Sequence, residues 1–251
     1  MSTQTLTRLR QLKLSGMAAA LQTQLEQVGT YEQLPFVERL ALLLDQEWLS
    51  RDQRRHERLI RQARFKLGAR VQEIDYQHPR NISPAQIARL AQGEWILRAQ
   101  NLLITGPCGS GKTYLACALG HNACLQSYSV RYYRLSRLFL ELTQAKADGS
   151  YHKQLQQLAK IQLLIIDDWG LEPLTPANRN DLMEIMDDRH GHTATLMISQ
   201  LPTDQWYASI GDSTLADAIL DRLMHNAHRL QLKGESMRKI LGQLTEDEHL
   251  G

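Results

Sequence analysis

The sequence predicts an α/β fold in which a five-stranded parallel sheet follows an all-helical N-terminal region. Residues 6–67 place apolar side chains three and four positions apart, which is the period of an amphipathic helix. After Asn101, short apolar runs alternate with helical segments, as parallel strands alternate with their crossover helices. A glycine-rich turn that begins at Gly106 directly follows the first of these runs.

The N-terminal region contains few residues that interrupt helices. Gly16, Gly29 and Pro35 are the expected breaks between separate helices. Farther along the chain, Ser83-Pro84 predicts an N-cap followed by proline in the first turn of a short helix. These signals divide the chain into a helical region at 1–68, a linker with a short helix at 69–100, and an α/β domain at 101–251.

The α/β domain should contain five strands. The apolar runs that predict them cover residues 102–105, 130–133, 162–166, 195–199 and 229–232. The segments between the runs are helical in pattern and long enough to cross over either face of a sheet. The sequence therefore predicts one parallel sheet with helices on both faces.

The composition is that of an ordinary globular chain, with 43% hydrophobic and 22% charged residues. The longest unbroken aliphatic run, at 40–44, is too short to span a bilayer. The N-terminus lacks the apolar segment of a secretory signal, and three cysteines without zinc-type pairing suit a reducing compartment. We therefore expect a soluble cytoplasmic protein with no membrane partner.

Positive charge is concentrated in the first 100 residues, which hold 15 Lys and Arg against 10 Asp and Glu. Residues 101–251 hold 14 against 17. This asymmetry favours an anionic partner for the N-terminal part. A solvated helical surface would give the same counts, so charge alone leaves both interpretations open.

Residues 106–113 match the phosphate-binding pattern G-x-x-x-x-G-K-[ST] between a predicted strand and a predicted helix. The glycines let consecutive backbone N–H groups point at phosphate oxygens, and the following helix adds the positive end of its dipole. Lys112 should reach the β- and γ-phosphates of ATP, and the Thr113 hydroxyl should bind Mg²⁺. The residues expected to bind the nucleotide are Gly106, Pro107, Cys108, Gly109, Ser110, Gly111, Lys112 and Thr113.

Four aliphatic residues at 163–166 precede two acidic residues, Asp167 and Asp168. Such a run is typical of a buried strand that brings carboxylates to the C-terminal edge of the sheet, where open α/β folds bind ligands. We expect Asp167 to take part in Mg²⁺ binding and Asp168 to orient and polarise the attacking water. Ser199 or Gln200, at the end of the next strand, could hold this water or the γ-phosphate, or could merely cap the strand.

Together these motifs resemble those of the AAA+ ATPases. Two further runs, Asp221-Arg222-Leu223 and Gly234-Glu-Ser-Met-Arg238-Lys239, add to the likeness. The runs Leu12-Lys-Leu-Ser-Gly-Met17 and Ser199-Gln-Leu-Pro202 resemble specifically the IstB-type transposition helpers of the IstB/DnaC branch. The resemblance covers essentially the whole chain and implies that the α/β domain is a P-loop AAA+ core.

The resemblance also implies roles for single residues. Ser199 or Gln200 would be sensor 1, Arg222 the arginine finger that reaches a neighbouring subunit's γ-phosphate, and Arg238 the sensor 2 that contacts phosphates in its own subunit. An always-charged guanidinium suits the charge that phosphoryl transfer leaves on the γ-oxygens. Without the resemblance, both arginines could be plain helix-surface residues.

Asp168 departs from the AAA+ pattern, because most members have glutamate at this position. Its side chain is shorter by one methylene and should position water less well. The departure predicts slow, switch-like hydrolysis.

Two arginine clusters suit nucleic acid. On a helix with about 100° per residue, the first cluster shares one face, which can follow phosphates without reading bases. A solvated helix face is the alternative. The second cluster lies at the end of the second predicted strand, beside Tyr132 and Tyr133, of which at least one should enter the core. The two clusters comprise Arg51, Arg54, Arg55, Arg58, Arg61 and Arg64, and then Arg131, Arg134 and Arg137.

The resemblance implies an ATP-dependent DNA-binding helper protein that oligomerises on duplex target DNA and recruits and stimulates a transposase. Its cofactors would be ATP and Mg²⁺, and its partners duplex DNA, a cognate transposase and further copies of itself, with region 1–68 binding DNA or a partner. A DnaC-like replicative helicase loader is the main alternative, because it shares every catalytic motif but would prefer single-stranded DNA. A small-molecule kinase and a nucleotide-gated scaffold with little hydrolysis are alternatives from other classes.

Overall fold

The computed structural model describes residues 2–234, 236 and 237. The chain divides into two compact units, Met1–Arg58 and Leu59–Gly251. The described part of the first unit is helical, and the second unit contains the sheet. Within the described residues, no helix is both long enough and apolar enough to cross a membrane.

The first unit begins with three helices, α1 (Ser2–Gln11), α2 (Ser15–Glu26) and α3 (Val28–Tyr31). A fourth helix, α4 (Phe36–Ala63), starts in this unit and runs past its end. Pro35 precedes α4, as predicted, but the breaks expected at Gly16 and Gly29 are wrong because both residues lie inside helices. Gly16 instead permits close packing, since a Cβ there would lie 2.6 Å from the Gln46 carbonyl oxygen.

Glu47 joins α2 to α4 within the first unit. Its Oε2 accepts hydrogen bonds from the backbone N–H groups of Gly16 (2.7 Å) and Met17 (3.1 Å). These amides lie in the first turn of α2, where unpaired N–H groups and the helix dipole favour a carboxylate. One buried acid and one glycine thus contribute to the α2–α4 contact, together with a hydrogen bond from the Gln24 side chain to the Arg39 carbonyl at 3.0 Å.

The second unit contains eight further described helices and five strands. The helices are α5 (Pro84–Ala91), α6 (Glu94–Leu97), α7 (Lys112–Leu125), α8 (Leu135–Ala147), α9 (Tyr151–Lys160), α10 (Pro176–Arg189), α11 (Trp206–Ile210) and α12 (Ser213–Met224). The strands are β1 (Asn101–Thr105), β2 (Val130–Arg134), β3 (Leu163–Trp169), β4 (Ala194–Ser199) and β5 (Ala227–Gln231). Short 3-10 turns cover Val71–Glu73 and Thr203–Gln205. Each strand overlaps its predicted run.

The expected N-cap of α5 is confirmed. The Ser83 hydroxyl accepts a hydrogen bond from the Gln86 backbone N–H at 3.2 Å, and Pro84 occupies the first turn. This arrangement satisfies one of the amides that a helix start leaves unpaired.

The sheet has the order β2-β3-β4-β1-β5, and every neighbouring pair is parallel. The register pairs Arg134 of β2 with Asp167 of β3, and Thr105 of β1 with Ser199 of β4. The carboxyl ends of β1, β2, β3 and β4 thus meet along one edge of the sheet, where α/β folds bind ligands.

Two apolar clusters cover the two faces of the sheet. One packs α5, α6 and α7 against side chains such as Ile104 and Ile165. The other packs α8 to α12 against side chains such as Leu103 and Ile166. Because side chains alternate between faces along a strand, the two clusters share β1 and β3. The predicted sheet with helices on both faces is confirmed.

Candidate nucleotide-binding site

The phosphate-binding pattern forms a loop between β1 and α7. Gly106, Gly109 and Gly111 all have positive φ, with φ at Gly111 of 93° just before the helix begins. Residues with a side chain rarely adopt positive φ, so glycine at 111 lets the chain turn directly into the helix. The first N–H groups of this helix have no acceptor within the helix. The loop forms one wall of a cavity of about 480 Å³.

Lys112 lies across this loop. Its Nζ donates hydrogen bonds to the carbonyl oxygens of Gly106 and Pro107, both at 2.7 Å. Burial lowers the pKa of Lys112, while the neighbouring charges of Cys108 and Asp167 act in the opposite direction. An anion in the cavity would favour the charged ammonium further.

Asp167 and Thr113 are in direct contact. The Thr113 hydroxyl donates to Asp167 Oδ2 at 2.8 Å, and the Tyr132 hydroxyl donates to the same oxygen at 2.7 Å. The second oxygen, Oδ1, accepts the Asp168 backbone N–H at 2.8 Å. The structure thus brings together the two residues predicted to bind metal and fixes the carboxylate with three donors.

The chemistry of this pair suits Mg²⁺. A hydroxyl oxygen and a carboxylate oxygen are hard ligands, and Mg²⁺ in nucleotide sites takes only one or two protein ligands beside phosphates and water. Thr113 and Asp167 would hold the ion, which would neutralise charge on the transferred phosphate.

Asp168 lies in a β-bulge at the end of β3. The register with β4 shifts between Ile166 and Trp169, and Asp168 adopts a left-handed φ of 67°. The extra residue returns Trp169 to the face that carries Ile166, where its ring packs 5.0 Å from Trp206. Asp168 is left half-buried at the cavity wall.

Arg134 contacts Asp168 rather than pointing freely into solvent. Its Nε lies 2.7 Å from Asp168 Oδ2, an ion pair that links the carboxyl ends of β2 and β3. Arg137, in the first turn of α8, is exposed. The two arginines, which the sequence placed in one DNA-binding cluster, thus differ in the structure: Arg134 is paired with Asp168, and Arg137 is exposed.

Ser199 and Gln200 both line the cavity but differ in exposure. Ser199 is 1% exposed, and its hydroxyl donates to the Trp169 carbonyl and accepts from the Leu201 N–H. Gln200 is exposed and follows the last residue of β4. Because the Ser199 hydroxyl already donates one hydrogen bond and accepts another, the geometry favours Gln200 as the group able to reach a bound phosphate.

Arg222 lies near the amino end of β1, opposite the carboxyl ends that line the cavity. Its carbonyl oxygen accepts a hydrogen bond from Asn101, the first residue of β1, whereas the phosphate loop follows the last. Its guanidinium pairs with Asp187 at 2.7 Å. The structure does not bring Arg222 to the cavity of its own chain. Arg238 lies outside the described residues.

The arginines of α4 differ in their partners. Arg51 and Arg54 pair with Glu47 at 2.7 and 3.6 Å. Arg55, Arg58 and Arg61 are exposed and form no ion pair with any described residue. These last three are available to an external anion.

The remaining predicted DNA contacts have intramolecular partners. Arg64 lies 4.0 Å from Glu141, at the limit of an ion pair. Arg131 donates to the Gln62 carbonyl at 2.9 Å and lies over the Tyr133 ring at 5.2 Å. Both tyrosines of this strand are buried, so core placement accounts for both.

Sequence reasoning missed two residues that touch this site, Tyr132 and Arg80. The sheet order puts β2 beside β3, and the alternation of the strand then aims Tyr132 at Asp167. Arg80 reaches the loop from 30 positions upstream. No local pattern marks it, because its neighbours are those of an ordinary turn.

Comparison with known families decides the assignment. The model of the family described as IstB-like ATP binding protein matches residues 7–243. The chain belongs to this family. The resemblance drawn from the motifs is thereby confirmed.

Two relatives of this IstB-like protein show how far the likeness extends. A protein named as a putative insertion sequence ATP-binding protein, y4pL of Sinorhizobium fredii, is 47% identical over 94% of this chain and 96% of its own. A protein of Pseudomonas fluorescens, named as a putative ATP-binding protein of insertion sequence IS1162, is 48% identical over 81% of this chain and 88% of its own.

Solved structures resemble the IstB-like chain in fold. The crystal structure of the DnaC helicase loader superimposes with a TM-score of 0.55 at 20% identity, covering 66% of this chain and 97% of that one. At this identity the likeness shows the fold alone. It confirms the predicted P-loop AAA+ core.

Proposed function

We propose that this IstB-like protein is an ATP-dependent DNA-binding helper of transposition. It binds ATP with Mg²⁺, oligomerises on duplex target DNA, and recruits and stimulates the transposase of its insertion sequence. Because DNA and ATP occur together in the cytoplasm of a bacterial cell, it would act there.

One observation supports nucleotide binding above the others. Lys112, Thr113 and Asp167 face one cavity whose floor is the glycine loop and the first turn of α7. A cation, a hydroxyl paired with a carboxylate, and open helix amides form the set that phosphoryl groups and Mg²⁺ require. Names given to the relatives, which describe ATP-binding proteins of insertion sequences, support the same proposal.

In this proposal each residue of the site has its own task. Lys112 neutralises the β- and γ-phosphates, Asp167 and Thr113 bind Mg²⁺, and Asp168 orients the attacking water. Gln200 acts as sensor 1 beside the γ-phosphate. Arg222 acts on the nucleotide of a neighbouring subunit, since its position excludes its own. Arg238 is proposed as sensor 2 on the family resemblance alone.

Hydrolysis should be slow. Asp168 has a short side chain, and Arg134 occupies one of its oxygens. That oxygen must leave its ion pair before it can accept a hydrogen bond from the attacking water. Slow hydrolysis would prolong the ATP-bound state and so the lifetime of the assembly on DNA.

DNA binding is proposed for region 1–68, through the exposed arginines of α4. Phosphate contacts from one helix face would bind any duplex sequence. The ATPase domain, 101–251, would then report nucleotide state to the DNA-bound region.

The proposal is tested by electron microscopy of the full chain with duplex DNA. We expect ordered oligomers with ATP, and none with the Lys112→Ala variant, which loses the phosphate-binding cation. Single-stranded DNA of equal length provides the comparison with a helicase loader. Ordered oligomers on single strands only would favour the loader, and their absence under every condition would reject assembly on DNA.

A further inference from the structure

Arg80 is a buried cation beside the phosphate loop. Only 7% of the residue is exposed, yet it lines the same cavity as Lys112 and Thr113. Its Nη1 lies 3.4 Å from the Ser110 carbonyl oxygen, and its Nη2 donates to the Asp75 carbonyl. A Cβ at position 111 would lie 2.6 Å from Nη1, so glycine at 111 is what lets the guanidinium approach.

Arg80 forms no ion pair with a described residue. Both hydrogen-bond acceptors are neutral carbonyls, and its Nε, although buried, has no hydrogen-bond partner in the described part of the chain. The nearby Asp75 carboxylate pairs with His78 instead, and its pKa is lowered chiefly by that contact and to a smaller extent by the Arg80 charge. Because the guanidinium is buried and in ion-pair contact with no described carboxylate, an anion that enters the cavity gains from pairing with it.

The backbone around Arg80 is fixed by the end of the sheet. The Lys233 N–H donates to the Arg80 carbonyl at 3.0 Å, and the Asn81 side chain donates to the Gln231 carbonyl at 2.8 Å. Farther along, the Met237 N–H donates to the Gly109 carbonyl of the loop at 3.0 Å. Arg80 is therefore presented to the loop by a braced segment, as a ligand-binding group should be.

The position of Arg80 along the loop indicates which anion it would meet. Thr113 and Asp167 mark the end of the cavity that receives Mg²⁺ and the γ-phosphate. Arg80 approaches at Ser110 and Gly111. Part of the cavity wall is formed by Lys66, Leu67, Glu73 and Asp75. A nucleotide whose γ-phosphate lies at Asp167 and whose nucleoside lies along that wall has its α-phosphate beside Arg80.

We infer that Arg80 binds the α-phosphate of the nucleotide. This inference rests on the proposed function, since it names a further residue of the same site. A guanidinium presents several N–H donors in a planar fork that matches phosphate oxygens. ADP and ATP, which both carry an α-phosphate, should depend on Arg80 alike.

The test uses the full chain with ADP, so that hydrolysis plays no part. The variant Arg80→Gln removes the charge, and ADP affinity should fall by about 10- to 100-fold, the usual effect of losing a charge-assisted hydrogen bond. In ³¹P NMR at saturating ADP, the α-phosphorus resonance should move in the variant by more than the β-phosphorus resonance. Arg89→Gln is the matched control, because it removes the same charge from an exposed arginine of α5 that does not line the cavity.

The outcomes separate this inference from the proposed function. Wild-type affinity and an unmoved α-phosphorus resonance in Arg80→Gln would overturn the inference while leaving nucleotide binding intact. An equal loss in Arg89→Gln would also overturn it, by showing a general effect of charge. A wild-type chain that binds neither ADP nor ATP would overturn the proposed function as well.

A second variant guards against loss of the fold. Arg80→Lys keeps the charge but not the planar fork, and its folding is checked by thermal unfolding. We expect it to move the α-phosphorus resonance as Arg80→Gln does, with a smaller loss of affinity. A folded Arg80→Lys chain with wild-type spectrum and affinity would reject the inference.

Discussion

The Nε atom of Arg134 lies 2.7 Å from Oδ2 of Asp168, so the proposed water-orienting carboxylate is paired with a cation from the neighbouring strand. Arg134 is half-exposed, with 51% of its side chain accessible, whereas 21% of the Asp168 side chain is accessible. The pair can therefore open toward solvent. While the pair is closed, Oδ2 of Asp168 accepts from Arg134 and is not free to accept a hydrogen bond from water.

We expect Arg134→Gln to raise hydrolysis in the absence of DNA. Without this partner, Oδ2 of Asp168 is free to accept a hydrogen bond from water, and turnover should increase by up to about tenfold, less than the roughly 10²–10⁴ that a positioned base contributes as a whole. The KM for ATP should change little, because Arg134 does not line the phosphate loop. Phosphate release under saturating ATP measures the effect.

Arg137→Gln is the matched control for this variant. It removes the same charge one turn farther along the chain, from an exposed side chain. Turnover that is unchanged or lower in Arg134→Gln would show that the ion pair supports catalysis rather than restraining it.

Tyr132 positions Asp167 for Mg²⁺. Its buried hydroxyl donates to the oxygen that also meets Thr113, and burial together with the Asp167 charge raises the pKa of Tyr132. The phenol therefore remains a donor across the physiological pH range. Tyr132→Phe should raise the Mg²⁺ concentration for half-maximal hydrolysis by about tenfold, a usual effect of losing an outer partner of a metal ligand.

Tyr133→Phe provides the comparison, because Tyr133 is equally buried but packs on the opposite face of the sheet. A general loss of stability would affect both variants in the same way. Identical Mg²⁺ requirements in the two variants would remove Tyr132 from the site.

Arg222 should act between subunits. Arg222→Ala should leave ATP binding by the isolated chain unchanged but lower hydrolysis in the assembly by up to about a thousandfold, the lower end for an arginine supplied in trans. Mixed with Asp168→Asn subunits, which keep Lys112 and so still bind ATP and assemble but lack the water-orienting carboxylate, it should recover activity. Each subunit type then supplies what the other lacks.

Co-assembly of the two variants must be verified by sedimentation before the mixture is assayed. If mixed assemblies form and stay inactive at every ratio, Arg222 acts within its own subunit or only through its contact with Asp187.

The sequence predicts the sheet and the phosphate loop because both depend on local patterns. Strand β1 is an apolar run, and the glycines of the loop are required by their own φ angles. The Ser83 N-cap belongs to the same class, since its hydrogen bond spans three residues.

Contacts that depend on sheet order escape such reasoning. Arg134 meets Asp168 only because β2 lies next to β3 in a particular register, and a bulge at Asp168 alters the alternation that the sequence suggests. The break expected at Gly16 is wrong for a related reason. This glycine packs against a helix 30 residues away, which a local rule for helix breakers does not consider.

The arginines of α4 should bind duplex DNA through its phosphates. Arg55 and Arg58 are the best probes, because they are exposed and form no ion pair among the described residues, whereas Arg51 and Arg54 share Glu47. Reversing both to glutamate should weaken binding to all duplex sequences alike, since phosphate contacts carry no base information. The slope of log affinity against log salt should shrink by about 0.9 for each phosphate that the variant no longer neutralises.

The control reverses two exposed lysines of α9, Lys153→Glu together with Lys160→Glu, and so makes the same change in net charge elsewhere on the chain. If DNA binding responded only to net charge, both double variants would lose affinity equally. A specific α4 interface instead predicts that affinity and salt slope fall in the arginine variant alone, with ADP binding preserved in both. Wild-type slope in the Arg55 and Arg58 variant would assign DNA binding to another surface, with Arg137 the next residue to test.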